Sequence, residues 1–313
     1  MKVFVAGGTG ALGHRVVRDL AAAGHEVTAT ARRDDWAAYL KGLGAWPVDV
    51  DLFDTAAIRS AVAGQDAVLR LTTKIPPLAQ MRRTESWIET GRLRNDGARL
   101  LVDASIVEGV GTYVHESIAF VYADGGDAWI DESSPLDVAK ARPLREAITG
   151  EANATRFTKW GGRGVVLRFA GFYAGDSAQS LEMADMARRR RTALIGPSRN
   201  YFSSIHIDDA ASAVIACLQA PPGVYNVADD EPLELCDFMR SMAEAAGAKP
   251  PRKLPAFLGP TVLGEVWSYL SRSLRVKSDR LRAATGWAPD VPSAREGWRR
   301  IAAEWAAAGG TAR

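Results

Sequence analysis

The sequence predicts an α/β protein, a doubly wound parallel sheet with a smaller C-terminal domain interleaved with it. Three observations predict it. Over the first 170 residues, short apolar runs alternate with segments of helical periodicity. The apolar runs are nearly continuous, as they are in strands buried on both faces of a parallel sheet. After Tyr173 the alternation loosens into short helical segments, Pro-rich turns ("APPG", "KPPRKLPAFLGP") and tryptophan-bearing stretches. The expected division is a nucleotide-binding domain over 1–170, to which 203–228 returns. A smaller substrate-binding domain is expected over 171–202 and 229–313.

The elements follow in order. "KVFVAGG" reads as a short buried strand. "GHRVVRDLAAAG" has a helical apolar stripe and stops at Gly24, a natural C-cap. "HEVTATAR" is a second strand and "RDDWAAYLKGLG" a second helix, again closed by glycine. "AWPVDVDL" is a third strand, and "DTAAIRSAVAG" a helix with Asp54 as N-cap. "DAVLRLTT" is a fourth strand. The long helical segment 87–109 carries Asn95-Asp96-Gly97 at its expected break. "TYVHES" and "GVVLRFAGFY" give the fifth and sixth strands.

Composition narrows the function. The chain has 313 residues, 47% hydrophobic and 24% charged, enough to bury a large core without staples. A net charge of +2 gives no global case for binding nucleic acid or an acidic membrane. The run Arg188-Arg189-Arg190-Arg191 reads as the solvated end of a helix. Two cysteines in helix-like patterns and four scattered histidines form neither a disulfide framework nor a metal set. No apolar run approaches the ~20 residues of a membrane span. The first strand begins at Lys2, leaving no room for a leader, so a cytoplasmic protein is expected.

"VFVAGGTGALGHRVV" places Gly7, Gly10 and Gly13 between a strand and a helix. The turn needs a residue tolerant of positive φ, a pyrophosphate needs backbone without a Cβ, and the helix start offers free N–H groups. At the end of the second strand stand Arg32 and Arg33, with no acid before Asp34. An acid there would suit the ribose hydroxyls of NAD; arginine suits a 2′-phosphate. The expected cofactor is therefore NADP(H), with NAD(H) the less favoured choice.

Taken in order, these motifs resemble the extended short-chain dehydrogenase/reductases, the family of sugar-nucleotide epimerases and dehydratases, over nearly the full length. "GGTGALG" is similar to their phosphate loop, which adds Thr9, Ala11 and Leu12 to the glycines. "VDVDLFD" resembles their adenine-contacting segment and implicates Asp51 and Leu52. "DAVLRLTT" takes the slot of their fourth strand, where Leu71, Thr72 and Thr73 would lie along the cofactor. "NDGARLLVDA", "YFSSIHIDDAASAV", "GVYNVADDEPLEL" and "ATGWAPDVPSAREGW" resemble their later segments. The resemblance implies a Rossmann-type sheet. It also implies a possible homodimer, paired through helix 87–109 and the helix after Pro135.

The chemistry departs from that pattern. The family keeps a Ser or Thr at the end of strand five and a Tyr-x-x-x-Lys pair on the next helix. No tyrosine occurs between Tyr122 and Tyr173. Aligned on Glu151, Pro143 takes the tyrosine slot and Ala147 the lysine slot; aligned on Tyr122, Ile118 takes the serine slot. The replacement is sought in "VHESIAFVYADGG". Glu116 is a candidate general acid/base, or else is paired with an arginine such as Arg168. Ser117 and Tyr122 are further candidate donors, the tyrosine otherwise packing in the core. Lys74, held by Ile75-Pro76-Pro77, faces either an anion or solvent.

Phe172, Tyr173, Tyr201, Phe202 and Trp87 are the expected substrate walls, suited to a flat or apolar small molecule. The leading reading is an NADP-dependent oxidoreductase that moves hydride to or from a carbonyl, imine or activated alkene. Two others stay open. One is a non-redox epimerase, lyase, isomerase or cyclase using Glu116; the other is a non-catalytic NADP-sensing protein.

Overall fold

The computed structural model describes residues 1–196 and 198–309. Seven parallel strands form the central sheet: β1 (Lys2–Ala6), β2 (Glu26–Thr30), β3 (Trp46–Val48), β4 (Ala67–Arg70), β5 (Thr112–Ile118), β6 (Arg163–Phe169) and β7 (Gly223–Val227). Their spatial order is β7-β6-β5-β4-β1-β2-β3, with every neighbouring pair parallel. The order reverses between β1 and β4. That is where an open α/β sheet leaves a crevice at its C-terminal edge.

The helices cover both faces. α1 (Gly13–Ala22), α2 (Asp34–Gly42), α3 (Thr55–Val62), α4 (Ile88–Arg92), α5 (Ala98–Val107) and α6 (Arg142–Lys159) alternate with the strands. Gly24 and Gly44 adopt φ of 80° and 87° just past α1 and α2, the left-handed stops a glycine supplies. Asp54 caps α3 by accepting from the N–H groups of Ala56 and Ala57 at 2.9 and 3.1 Å. The segment Leu93–Gly97 joins α4 to α5 as a π-helical turn. This is the break expected at Asn95-Asp96-Gly97, made without leaving the helix.

Two apolar layers result. One packs α1 and the later helix α8 (Ile207–Ala216) on Val3, Val5, Leu69, Val114 and Leu167. The other packs α3, α5 and α6 on Phe4, Val68, Tyr113 and Val166. Between α6 and α8 lies α7 (Ala178–Arg188), and after β7 come α9 (Leu235–Ala245) and α10 (Ala294–Ala307). These last three share a separate core around Tyr173, Phe238, Met242 and Trp298. The chain thus enters the smaller unit after β6 and comes back through α8 and β7. Arg272, 6% exposed, fastens the C-terminal segment to the loop after β5 by donating to the carbonyls of Tyr122 and Asp137. No helix of the described residues is long and apolar enough to cross a membrane.

Candidate active site

The turn after β1 is shaped by what it cannot hold. Gly7 has φ of 101°, and a Cβ there would lie 2.8 Å from the Leu71 carbonyl. A Cβ on Gly13 would lie 1.9 Å from the Gly7 carbonyl. The Gly7 N–H donates to the Thr30 hydroxyl at 2.8 Å, and the Gly10 N–H to the Gly7 carbonyl at 3.0 Å. The loop is thereby wedged between the ends of β2 and β4. α1 starts at Gly13 with no side-chain cap and no acid in its first turn. Bare backbone under an uncapped helix start fits a pyrophosphate. Buried Leu12 anchors the turn, while Ala11 and Gly10 are exposed at its tip and Thr9 is half-buried. Arg15, itself buried, ties α1 to Asp176 and Asp208.

The other expected cofactor contacts sit along the same edge. Arg32 and Arg33 are both exposed at the end of β2. Asp35 holds Arg33 and raises its pKa. Among the described residues no ion pair or hydrogen bond engages the Arg32 guanidinium. Asp51 caps its own turn by accepting from the Phe53 N–H at 3.0 Å, and Leu52 is buried. Leu71 is buried, Thr72 half-buried and Thr73 exposed. His14, Trp36 and Tyr39 form an aromatic corner beside the loop, with ring centroids 5.4–6.1 Å apart. Sequence reading missed this corner because its members come from different helices.

The candidates at the end of β5 are buried and engaged. Glu116 is 4% exposed and its Oε2 lies 3.2 Å from Nη1 of Arg70. The partner of Glu116 is thus Arg70, not Arg168. Ser117 donates to Glu151 at 2.6 Å. Arg168 holds the same carboxylate side-on, Nε at 2.9 Å and Nη2 at 2.7 Å, and its Nη1 donates to the Tyr122 hydroxyl at 3.0 Å. Tyr122 donates onward to Asn226 at 2.7 Å. A continuous chain therefore runs Ser117–Glu151–Arg168–Tyr122–Asn226 across β5, α6, β6 and β7. Burial pushes the Tyr122 pKa up, so its hydroxyl keeps its proton. Lys74 is exposed and paired with Glu89. α6 carries no tyrosine and no lysine before its last residue, Lys159.

The aromatic expectations divide. Tyr201 and Phe202 meet Phe120 and Tyr269 around a cavity of about 10 Å³. Phe172 packs on Phe169 with ring centroids 5.1 Å apart. Tyr173 lies in the core of the smaller unit, stacked on Trp298 and 1% exposed. Trp87 is 6% exposed, donates to the Met81 carbonyl and packs with Leu144, Val266 and Tyr269. Four buried arginines, Arg15, Arg70, Arg94 and Arg272, escaped the sequence reading. A charge inside the apolar run "DAVLRLTT" was the available signal for Arg70; Arg94 lies in an ordinary polar helix and offered none.

Comparison with known proteins agrees with this geometry. Residues 7–155 match the family described as NAD(P)H-binding. The 3-diazoavenalumate denitrifying reductase of a Streptomyces species is 33% identical over 314 residues, covering 96% of this chain and 100% of the relative. A ketoreductase of Stigmatella aurantiaca, acting on 4-hydroxy-2-methyl-3-oxo-4-farnesyl-3,4-dihydroquinoline-1-oxide, is 27% identical and covers 80% of this chain and 74% of its own. A human epimerase family protein crystallised with NADPH superposes with a TM-score of 0.76 at 23% identity, over 97% of this chain and 99% of that one. The glycine cradle, the strand order and these relatives converge: the chain belongs to the extended short-chain dehydrogenase/reductase family and is an NAD(P)H-binding oxidoreductase.

Proposed function

We propose that the chain is an NADPH-dependent reductase of a small aromatic or apolar metabolite whose own electrophile accepts hydride without a tyrosine proton relay. One observation carries this reading. Every polar candidate at the end of β5 is already tied to a neighbour, and α6 has no tyrosine. Bound NADPH would supply the hydride. Gly7, Thr9, Gly10, Ala11, Leu12 and Gly13 would hold its pyrophosphate, and Arg32 its 2′-phosphate. Leu71, Thr72 and Thr73 would line its path toward β5.

The reductase relative whose name specifies a diazo substrate suggests the electrophile to test first. Replacing an aryl diazonium by hydrogen forms a C–H bond, breaks a C–N bond and releases N₂. Hydride supplies both electrons and the only hydrogen, so no acid is needed. Carbonyl reduction, in contrast, leaves an alkoxide to be protonated. The Ser117–Glu151–Arg168–Tyr122 chain and the Glu116–Arg70 pair would hold the strand end rigid beside the cofactor, because an arginine in the middle of the chain passes no proton.

The test has two stages. Thermal shift with NADPH and with NADH should show tighter binding of NADPH. NADPH oxidation is then followed with benzenediazonium, benzaldehyde and cinnamaldehyde, each against a protein-free control. Protein-dependent N₂ release with little aldehyde turnover is expected, at a rate flat between about pH 6 and 9 because no acid is titrated. Consumption equal to the protein-free control, or faster turnover of benzaldehyde with a bell-shaped pH profile, overturns the reading.

A further inference from the structure

The net charge of +2 hides one local asymmetry. Between Ala245 and Gly264 the chain carries Lys249, Arg252 and Lys253 and no acid. The same stretch turns apolar side chains outward. Phe257 is 76% exposed, more than any other large apolar side chain of the described residues, and Val262 is 46% exposed. Pro255, Ala256 and Pro260 are exposed beside them. Single apolar residues on a surface are ordinary. Five within the eight residues 255–262, on an acid-free stretch, form a patch that asks for a partner.

The turn is held so that this face stays out. Pro255 and Pro260 stiffen its backbone. Its inner side closes on half-buried Trp267: a Cβ on Gly259 would lie 2.3 Å from that ring, and one on Gly196 would lie 2.8 Å from the ring and 3.2 Å from Ala256. Basic groups stand on both flanks. The strand Arg252–Leu254 pairs with Ala193–Ile195 and sets Arg252 beside Ala193, two residues past Arg191. On the other flank Gly264, at φ of 58°, meets Arg82, whose carbonyl a Cβ there would approach to 2.9 Å. Arg82, Arg83, Arg191, Lys249, Arg252 and Lys253 are all exposed. Among the described residues no ion pair engages any of them, whereas Asp185 holds Arg189 in the same arginine run. Acids are sparse around the patch. Glu85 is the one acid in 77–88, and Glu244 and Glu265 bound the acid-free stretch, Glu265 already accepting from the Thr84 hydroxyl at 3.1 Å.

We propose that the turn 255–263 seats the protein on an anionic lipid surface, with Phe257 and Val262 entering the interface and Arg82, Arg83, Arg252 and Lys253 meeting the headgroup phosphates. The charges bring the turn to the surface and the apolar tip holds it there. A projecting tip fits a bilayer, which yields around it, better than an acidic protein, which would need a matching pocket. The seat lies on the membrane and does not cross it. Tyr269 and Leu270, which line the cavity with Tyr201 and Phe202, follow on the same segment, so the tip and that cavity wall are built from one continuous stretch. The proposal goes beyond the reductase reading and does not depend on it.

The probes are vesicles of phosphatidylcholine alone and of phosphatidylcholine mixed with phosphatidylglycerol, sedimented with the full chain. Partition onto the mixed vesicles should exceed that onto the neutral ones by at least about tenfold and fall steeply as salt rises from about 0.1 to 0.5 M. Arg252→Ser together with Lys253→Ser should weaken it by about tenfold or more, and Phe257→Ser by about fivefold. Trp46→Ser removes a side chain 69% exposed at the far edge of the sheet and should change nothing. All of these side chains are exposed, so each variant should melt with the parent and bind NADPH as the parent does, whichever way the reductase reading falls. Equal partition onto the two kinds of vesicle, or none onto either, overturns the seat. So does an equal loss from Trp46→Ser and Phe257→Ser. Binding that salt abolishes but Phe257→Ser leaves intact is adsorption by charge alone and overturns it as well.

Discussion

The turn after β1 and the end of β5 flank the same crevice, separated only by β4, and they are built in opposite ways. At β1 the chain removes side chains. Gly7 and Gly13 leave backbone so close to Leu71 and to itself that no Cβ fits. At β5 it adds charged side chains and then pairs them: Glu116 with Arg70, and Ser117 and Arg168 with Glu151. The first region leaves bare backbone at an uncapped helix start, with no side chain to neutralise it. The second has satisfied most of its charge internally. A bare backbone site recognises one shape regardless of its surroundings. A saturated polar site is rigid, and its chemistry must come from the ligands.

That contrast can be broken most sharply at Glu151. Glu151→Ala leaves Arg168 buried without its carboxylate and should cost about 3–5 kcal/mol in urea unfolding. A loss under about 1 kcal/mol would mean that the network is not holding the strand end together. On the other side, Gly13→Ala forces a Cβ to within 1.9 Å of the Gly7 carbonyl. It should cost about 1–3 kcal/mol and weaken NADPH binding with it. Retained affinity, read by calorimetry, would show that the turn adjusts and is not preorganised.

Arg32→Ala should narrow the preference for NADPH over NADH by about 2 kcal/mol, the worth of a charge-assisted contact. Arg33→Ala should do less, because Asp35 already holds that side chain. Equal effects from the two, in paired titrations, would reverse the assignment.

The smallest effect is a pH slope from the β5 side. His115 is held well below its ordinary pKa by burial, then by Arg70 and Arg94. In the unfolded chain it takes a proton near pH 6.5. Below that pH the unfolded state therefore binds more protons than the folded one, and stability falls as pH falls. The slope approaches about 1.4 kcal/mol per pH unit. His115→Phe should flatten the profile between about pH 6.5 and 5 relative to the parent. An unchanged slope would place the titration elsewhere.

The glycine turn after β1 was legible because its signals are local. Gly7, Gly10 and Gly13 follow a strand and precede a helix, and each residue's role depends on neighbours a few positions away. The strand–helix alternation was legible for the same reason, and α1, α2 and α3 end or begin where Gly24, Gly44 and Asp54 predict. The β5 half was legible in its residues but not in their partners. Glu116 could be singled out as a charge at the tip of a buried strand. Whether it met Arg168 or some other arginine depended on the order of strands in the sheet. β4 pairs with β5 and places Arg70 in register with His115, one residue from Glu116. Tyr173 was read as a pocket wall from its place after the sixth strand. It packs instead under Gly297, whose added Cβ would lie 2.2 Å from its hydroxyl, because α10 returns from the far end of the chain.

The sequence by itself determined the sheet, its helices, the glycine turn after β1 and the absence of a Tyr-x-x-x-Lys pair on α6, since periodicity, glycine placement and residue identity are written in consecutive positions. Only the tertiary structure decided which charges neutralise one another. Arg70, Arg94, Glu116, Glu146, Glu151 and Arg168 span nearly a hundred residues, and the reach of an ion pair is about 4 Å. Folding brings them into one layer, where the order of strands and the position of α6 set which acid meets which arginine.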